Sequence, residues 1–262
     1  MSITLLKEQC KALKLGTLPQ VYNRVDYRDK EQFLTDIFTM ELNGRQDSRI
    51  KAALKTAAFG EAKTLDVFEW KKITLPASST RENLINLDFI ERMEALICIG
   101  SVGTGKTHLV TALGIRACMQ GKRVRFFRTT DLVNRLLARY TAGTLPRFMK
   151  DLEKCDLLIL DELGFVPLHR HGAELLFNVV ASCYERRSIA ITTNLEFGQW
   201  NTVLGDNRLT AAMIDRLVHH AHILAFPGDS FRLRHALSQI NAVSSSTLDP
   251  NQERGDNNSL TI

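Results

Sequence analysis

The chain has 262 residues, 44% hydrophobic and 24% charged, the proportions of an ordinary globular protein. They exclude a disordered, collagenous or fibrous chain, and no run approaches the roughly 18 apolar residues that a membrane-spanning helix needs. Thirty-four Lys and Arg against 29 Asp and Glu leave a net charge of +5, a mild lean toward an anionic partner such as nucleic acid.

The start, MSITLLKEQCKALK, lacks the longer apolar core and small-residue cleavage site of a signal peptide, so the expected location is cytoplasmic, with no membrane partner. Cys10, Cys98, Cys118, Cys155 and Cys183 are odd in number and have no CxxC spacing. They read as buried reduced thiols rather than a zinc site or a disulfide framework.

Residues 1 to about 75 are helical in pattern. Phe33, Ile37 and Glu41, with Leu34 and Phe38, follow the three-to-four spacing of an amphipathic helix. Arg45, Arg49, Lys51 and Lys55 follow among Ile50, Ala53 and Leu54. Residues 74–80, TLPASST, read as a linker of small polar residues and proline. Beyond it, short apolar runs alternate with helical segments. The candidate strands are Ala95–Ile99, Val124–Phe127, Leu157–Leu160 and Ile189–Thr193. Such alternation implies an α/β fold with a parallel, doubly wound sheet. From about Ser238 the chain is polar and poor in large apolar residues, as in a disordered tail. The expected division is a helical N-terminal domain over 1–75, a nucleotide-binding domain over 76–237 and a tail over 238–262.

The strongest motif is Gly100-Ser101-Val102-Gly103-Thr104-Gly105-Lys106-Thr107, which fits GxxxxGK followed by Ser or Thr. It follows the apolar run ALICI and precedes THLVTALGIRACMQG, a helical pattern closed by Gly121. Strand, loop and helix form the context this phosphate loop requires. Its glycines let successive backbone N–H groups point at a phosphate, and the helix N-terminus adds positive potential. Lys106 is expected to reach the β- and γ-phosphates of ATP, and the Thr107 hydroxyl to coordinate Mg²⁺. The nucleotide-contacting run is taken as Gly100 to His108.

Leu157 to Leu160 end in Asp161 and Glu162. A buried parallel strand delivers its C-terminal end to the ligand crevice, so Asp161 suits the Mg²⁺ shell. Glu162 is placed to polarise a water for attack on the γ-phosphate. A solvated acidic turn is the alternative, and the phosphate loop upstream argues against it. The further strand between loop strand and acidic strand marks P-loop proteins that hydrolyse ATP with a glutamate, and argues against a metabolic kinase. The run Ile189 to Thr193 ends in Asn194, which suits the attacking water or the γ-phosphate, or else caps a turn. The segment Asn207 to Leu217 reads as a helix carrying Arg208 and Arg216. His169, Arg170 and His171 have no third ligand near in sequence and read as a surface loop.

GSVGTGKTHL, CDLLILDELGF, SIAITTNLEF, AAMIDRLVHHAHIL and GDSFRLR, in this order and spacing, resemble the IstB-like helper ATPases of bacterial insertion sequences. These belong to the AAA+ ATPases and are relatives of the DnaC helicase loader. The resemblance runs from residue 1 to about 236 and includes the leader FLTDIFTMELNGRQDSRIKAALKTAAF. It implies an AAA+ domain with Asn194 as first sensor and Arg216 as arginine finger, Arg208 being the second candidate. Arg232 would be the second sensor. Ser101 and Val102 depart from the prolines common at those positions, and no loss of binding is expected because those positions contribute backbone.

The resemblance further implies that a helical insertion after the second strand lines a DNA channel in an oligomer. Here that region holds Thr130, Arg135, Arg139, Tyr140, Arg147 and Lys150. Thr130 is a reasonable N-cap, and Arg135 and Arg139 share one helix face, a spacing that suits phosphates as well as a solvated basic face. The implied function is a transposition helper that assembles with ATP on double-stranded DNA as a homo-oligomer. It would deliver that DNA to the transposase of the same insertion sequence, with the N-terminal domain serving DNA or partner binding and assembly. A DnaC-like loader of a replicative helicase and a nucleotide-gated scaffold without turnover are the alternatives. The intact Glu162 speaks against the scaffold.

Overall fold

In a computed structural model, residues 3–26, 29–228 and 230 are described. Arg232 and the tail expected over 238–262 lie outside them. The N-terminal part holds α1 (Ile3–Ala12), α2 (Leu18–Val21) and α3 (Lys30–Ala57). The two apolar stretches read between residues 33 and 54 are one helix, capped by Asp29 accepting from Gln32 N. Ile37 and Glu41 are buried, but Leu34 and Phe38 are about half exposed. Glu41 is buried because its carboxylate accepts from the backbone N–H groups of Gly16, Thr17 and Leu18 at 2.8–3.1 Å. These bonds and the Arg45 guanidinium hold its pKa low against the opposing, largest effect of burial.

Next come α4 (Arg81–Asn86), α5 (Asp88–Glu91), β1 (Ala95–Gly100), α6 (Lys106–Met119), β2 (Val124–Arg128) and α7 (Thr129–Thr141). They are followed by α8 (Leu145–Leu152), β3 (Leu157–Leu163), α9 (Arg170–Cys183), β4 (Ser188–Thr193), α10 (Asn201–Leu204), α11 (Asn207–Val218) and β5 (Ala221–Phe226). The five strands form one sheet in the order β2-β3-β4-β1-β5, every pair parallel. The doubly wound α/β sheet expected from the sequence is therefore present. The fifth strand is absent from the sequence reading, because HHAHIL registers there only as a motif following the helix. Pairing with β1 from Ala95↔Ala221 to Gly100↔Phe226 makes it a strand.

Each face of the sheet carries its own core. On one, Leu136, Leu176 and Trp200 pack against Leu158, Leu160 and Ile191. On the other, Leu109, Leu113 and Phe89 meet Leu96, Ile159 and Leu224. Residues Ala53 to Leu75, N-terminal to the division expected at 75, contribute Ala57, Phe59, Phe68, Trp70 and Ile73 to this second core. Gly114 in α6 makes room for them, since a Cβ there would lie 2.9 Å from the Phe59 ring.

The expected linker 74–80 is ordered by its contacts. Thr74 pairs antiparallel with Ala225, through bonds of 2.8 and 3.1 Å. The Thr80 hydroxyl caps α4 by accepting from Asn83 N. Ser79 contacts His222 Nδ1, and His222 Nε2 lies 2.7 Å from Glu94. All five cysteines are free and buried, as expected. Burial pushes the Cys183 thiol up to about 12, that of an inert packing residue. No described helix is long and apolar enough to cross a membrane.

Candidate nucleotide site

The C-terminal ends of β1, β3 and β4 meet at one edge of the sheet, where ligands sit in doubly wound folds. From β1 the chain enters the phosphate loop. Gly100, Gly103 and Gly105 have φ of 154°, 79° and 102°, conformations a side chain resists. Gly100 also runs against the Phe226 carbonyl of β5, where a Cβ would clash. Gly105 is the N-cap of α6, so the loop delivers its backbone to that helix's positive end. Gly121, with φ 83°, follows the end of the same helix, as read from the sequence.

Lys106 is buried, and its ammonium donates to the carbonyls of Gly100 at 2.6 Å and Ser101 at 2.7 Å. Thr104 Oγ1 donates to Ser101 O at 2.8 Å, tightening the loop further. Val102 is more than half exposed, at 55%, consistent with a position that supplies only backbone.

Asp161 ends up only 2% exposed, and one of its carboxylate oxygens is shared by two hydroxyls. Thr107 Oγ1 donates to Oδ1 at 2.8 Å and Thr192 Oγ1 donates to the same atom at 2.6 Å. The hydroxyl and carboxylate oxygens of Thr107 and Asp161 are hard donors held side by side, a set that fits Mg²⁺. Thr192 also accepts from the backbone N–H of Glu162 at 2.9 Å. Sequence reasoning missed this residue. Its signal was a polar side chain inside the apolar run of β4, fully buried yet facing β3.

Glu162 is the strained residue of the site. The pairing of β3 with β4 slips between Leu160 and Leu163, and Glu162 has φ 60°. A bulge of this kind re-aims a side chain, and a left-handed non-glycine residue costs of order 1–3 kcal/mol. The Glu162 carboxylate faces Arg128 at the end of β2, 3.8 Å away. Arg128 is a second residue the sequence reading passed over.

Around the loop lies a cavity of about 1000 Å³, lined by Gly103 to His108, Asp161 and Arg128 on one side. Its other wall is the segment from Gly60 to Thr74, with Phe68, Ile73, Lys63, Lys71 and Lys72. His108 Nε2 lies 2.7 Å from the Thr64 carbonyl, and Phe68 stacks near both His108 and Trp70. No motif in the sequence marked this wall.

Several expected residues stand apart. Glu162 and Asn194 are exposed and not among the lining residues; Asn194 follows the end of β4. Arg208 is exposed near the start of α11. Arg216, on the same helix, donates to Ala212 O and lies 4.9 Å over the Phe177 ring, away from the cavity. Thr130 is not the cap of α7: that position is Arg128, and Thr130 is the second helical residue. The hydroxyl of Thr129 instead donates to Asp161 O at 2.9 Å, tying α7 to the acidic strand. Arg135 and Arg139 share the exposed side of α7, over the rings of Phe127 and Phe148 at 5.4 and 5.8 Å. Tyr140 packs edge-on to His171, and Arg147 and Lys150 are exposed on α8. His169 caps α9 by accepting from His171 N.

A glycine-turned loop on a helix N-terminus, with a buried aspartate at the end of β3 across the intervening β4, defines a P-loop ATPase of the AAA+ fold. The five-stranded sheet is similar to that of AMPPCP-bound DnaA from Aquifex aeolicus, with a TM-score of 0.51 and 21% identity. The match covers 71% of this chain and 57% of that one, so this chain spans little more than half of the DnaA chain. DnaI matches with a TM-score of 0.51 and 19% identity, over 71% of this chain and 98% of that one.

The family is narrower than the fold. The model of the IstB-like ATP binding proteins matches residues 9–239, and the chain belongs to that family. The IS21 putative ATP-binding protein of Pseudomonas aeruginosa is 36% identical over 80% of this chain and 78% of its own length. An insertion sequence ATP-binding protein of Sinorhizobium fredii is 37% identical over 86% and 78%. A third, of IS5376 from Geobacillus stearothermophilus, is 34% identical over 78% and 81%.

Proposed function

We propose that this chain is the DNA-dependent helper ATPase of an insertion sequence. In this reading it assembles on double-stranded DNA as an ATP-bound homo-oligomer and delivers that DNA to the transposase. The observation that supports it is the glycine-turned phosphate loop with Thr107 and Thr192 on the buried Asp161, together with relatives named for insertion sequences. The likeness to DnaI is one of fold, and nothing in the site favours the helicase-loader reading over this one.

ATP enters the cavity with its phosphates on the loop and its base against the Phe68 and Ile73 wall. Lys106 exchanges the carbonyls of Gly100 and Ser101 for β- and γ-phosphate oxygens. Thr107 and Asp161 would hold Mg²⁺, which when bound would draw charge off the phosphates. Glu162 leaves Arg128, accepts the proton of a water held with the help of Asn194, and that water attacks the γ-phosphorus. The bond to the bridging oxygen of ADP breaks as the new P–O bond forms. Arg216 lies away from its own cavity, so the guanidinium that meets the γ-phosphate comes from a neighbouring subunit, with Arg208 next in line. Arg232 serves as the second sensor. The exposed residues Arg135, Arg139, Arg147 and Lys150 contact DNA phosphates, and Tyr140 and Thr130 border that track.

The test is ATP turnover with and without double-stranded DNA, followed by subunit mixing. Arg216→Ala is expected to bind ATP and fall about 10³–10⁵-fold in rate, the range for an arginine supplied in trans. Mixed with Lys106→Ala, it recovers part of the activity, in a manner dependent on protein and DNA concentration. If turnover ignores DNA and mixing restores nothing although mixed oligomers form, the reading fails.

A further inference from the structure

Away from the nucleotide cavity, three metal-binding side chains come together on the surface. Glu185, His219 and His220 each offer a donor atom, and these atoms lie within 4.8 Å of one another. Two turns bring them there. Glu185 follows Tyr184, the C-cap of α9, and has a left-handed backbone with φ 53°. His219 is the C-cap of α11, and His220 leads into β5. A non-glycine residue holds that conformation only where its surroundings impose it. Next to it α9 lies against α11, with Arg216 over the Phe177 ring.

Three further features favour a cation at this point. The C-terminal ends of α9 and α11 converge on it, and helix C-termini carry partial negative charge. The two imidazoles are already crossed edge to face, with ring centroids 4.2 Å apart. Tyr184 Oη lies 3.0 Å from His219 Nδ1. A partner on one ring nitrogen fixes the tautomer and orientation of a metal-binding histidine.

We propose that Glu185, His219 and His220 form a site for a divalent transition-metal ion of the zinc class, on the surface beside Arg216. Two imidazoles and a carboxylate select borderline ions such as Zn²⁺, Co²⁺ or Ni²⁺ over Mg²⁺, which the all-oxygen pair of Thr107 and Asp161 suits. All three residues are exposed, so the ion enters from solvent and solvent completes its coordination. Bound there, it clamps the ends of α9 and α11, and with them the helix carrying Arg216. Glu185, His220, Tyr184 and Arg216 line one small crevice, so the clamp acts directly on that arginine's surroundings.

The experiment is titration of the untagged full-length protein with Co²⁺, followed by visible absorption, then displacement by Zn²⁺. Saturation at an equimolar ratio and a Zn²⁺-dependent rise in melting temperature are expected, since an ion that binds only the folded state stabilises it. H219A/H220A is expected to bind at least about 100-fold more weakly, and Tyr184→Phe about 10-fold more weakly, by the usual cost of removing a supporting hydrogen bond. H169A/H171A, which removes histidines elsewhere on the surface, retains the parent affinity. Both sets of histidine substitutions are checked by circular dichroism, and H220Q alone replaces the double variant if that fails to fold. Non-saturable binding by the parent, or equal Co²⁺ affinity in H219A/H220A (or H220Q) and the parent, overturns the site.

Discussion

The end of the sheet and the outer surface of α7 and α8 are built by opposite means. At the sheet end, Lys106 and Asp161 are buried and held by hydrogen bonds of 2.6–2.8 Å. On α7 and α8, Arg135, Arg139, Arg147 and Lys150 are exposed, with two guanidinium groups resting on aromatic rings. The difference follows from the chemistry proposed for each. Phosphoryl transfer depends on atoms held within fractions of an ångström, so its residues are locked by burial and hydrogen bonds. A phosphate track needs positive charge along a path, which flexible exposed side chains supply. Substitutions at the sheet end should therefore be abrupt and individual in effect, and those on the helices graded and additive.

The sharpest break in that contrast is Glu162→Gln. It keeps size and hydrogen bonding but removes the proton acceptor, and a positioned base contributes typically about 10²–10⁴-fold. We expect ATP to bind and persist while turnover falls by that amount, with DNA association retained or increased. Single-turnover hydrolysis measured beside nucleotide affinity checks this, and parent-rate hydrolysis removes Glu162 from its role.

Thr192→Val tests whether the locking itself matters. The substitution preserves shape but removes the hydroxyl that donates to Asp161 and accepts from Glu162 N. A buried carboxylate short of a donor, and a strained N–H without its acceptor, should together cost about 1–3 kcal/mol. Urea unfolding reads that destabilisation, and turnover should fall with it. A variant as stable and active as the parent would mean that the bulge of β3 holds Glu162 without β4.

The smallest effect is expected on the helices. Arg135→Ala with Arg139→Ala should flatten the slope of log affinity against log salt by roughly one to two units, about one for each DNA phosphate no longer neutralised. ATP affinity without DNA should stay at the parent value. Fluorescence anisotropy across a salt series measures the slope. An unchanged slope relocates the track, with Arg49, Lys51 and Lys55 of α3 the next basic group to test.

Legibility in the sequence followed the same divide. The phosphate loop could be read because its residues are consecutive and their backbone demands select glycine at fixed spacing. Asp161 and Glu162 could be read because an apolar strand announces where its polar end lies. Thr192 and Arg128 were missed because each matters only through a neighbour from another strand. The wall from Gly60 to Thr74 was missed for a related reason. Its irregular backbone has no period, and its place beside the loop comes from the packing of Phe59 on α6 and the bond of His108 to Thr64. Segment 74–80 looked like a linker by composition, yet Thr74 bridges to Ala225 and Ser79 meets His222.

By itself the sequence determined the α/β class, the four strands β1 to β4 and their alternation with helices, the nucleotide loop and the acidic pair. Each of these is encoded in local periodicity or in residues a few positions apart, where backbone sterics and hydrophobic patterning act without help from the rest of the chain. Only the tertiary structure decided that Ala221–Phe226 is a strand, that Thr192 holds Asp161, and that Glu162 is strained and turned toward Arg128. It alone gathered Glu185, His219 and His220 at two helix ends. Those features arise from contacts between segments far apart in the chain. Their free energy lies in pairing and packing across the fold, and no single segment carries a pattern from which they can be read.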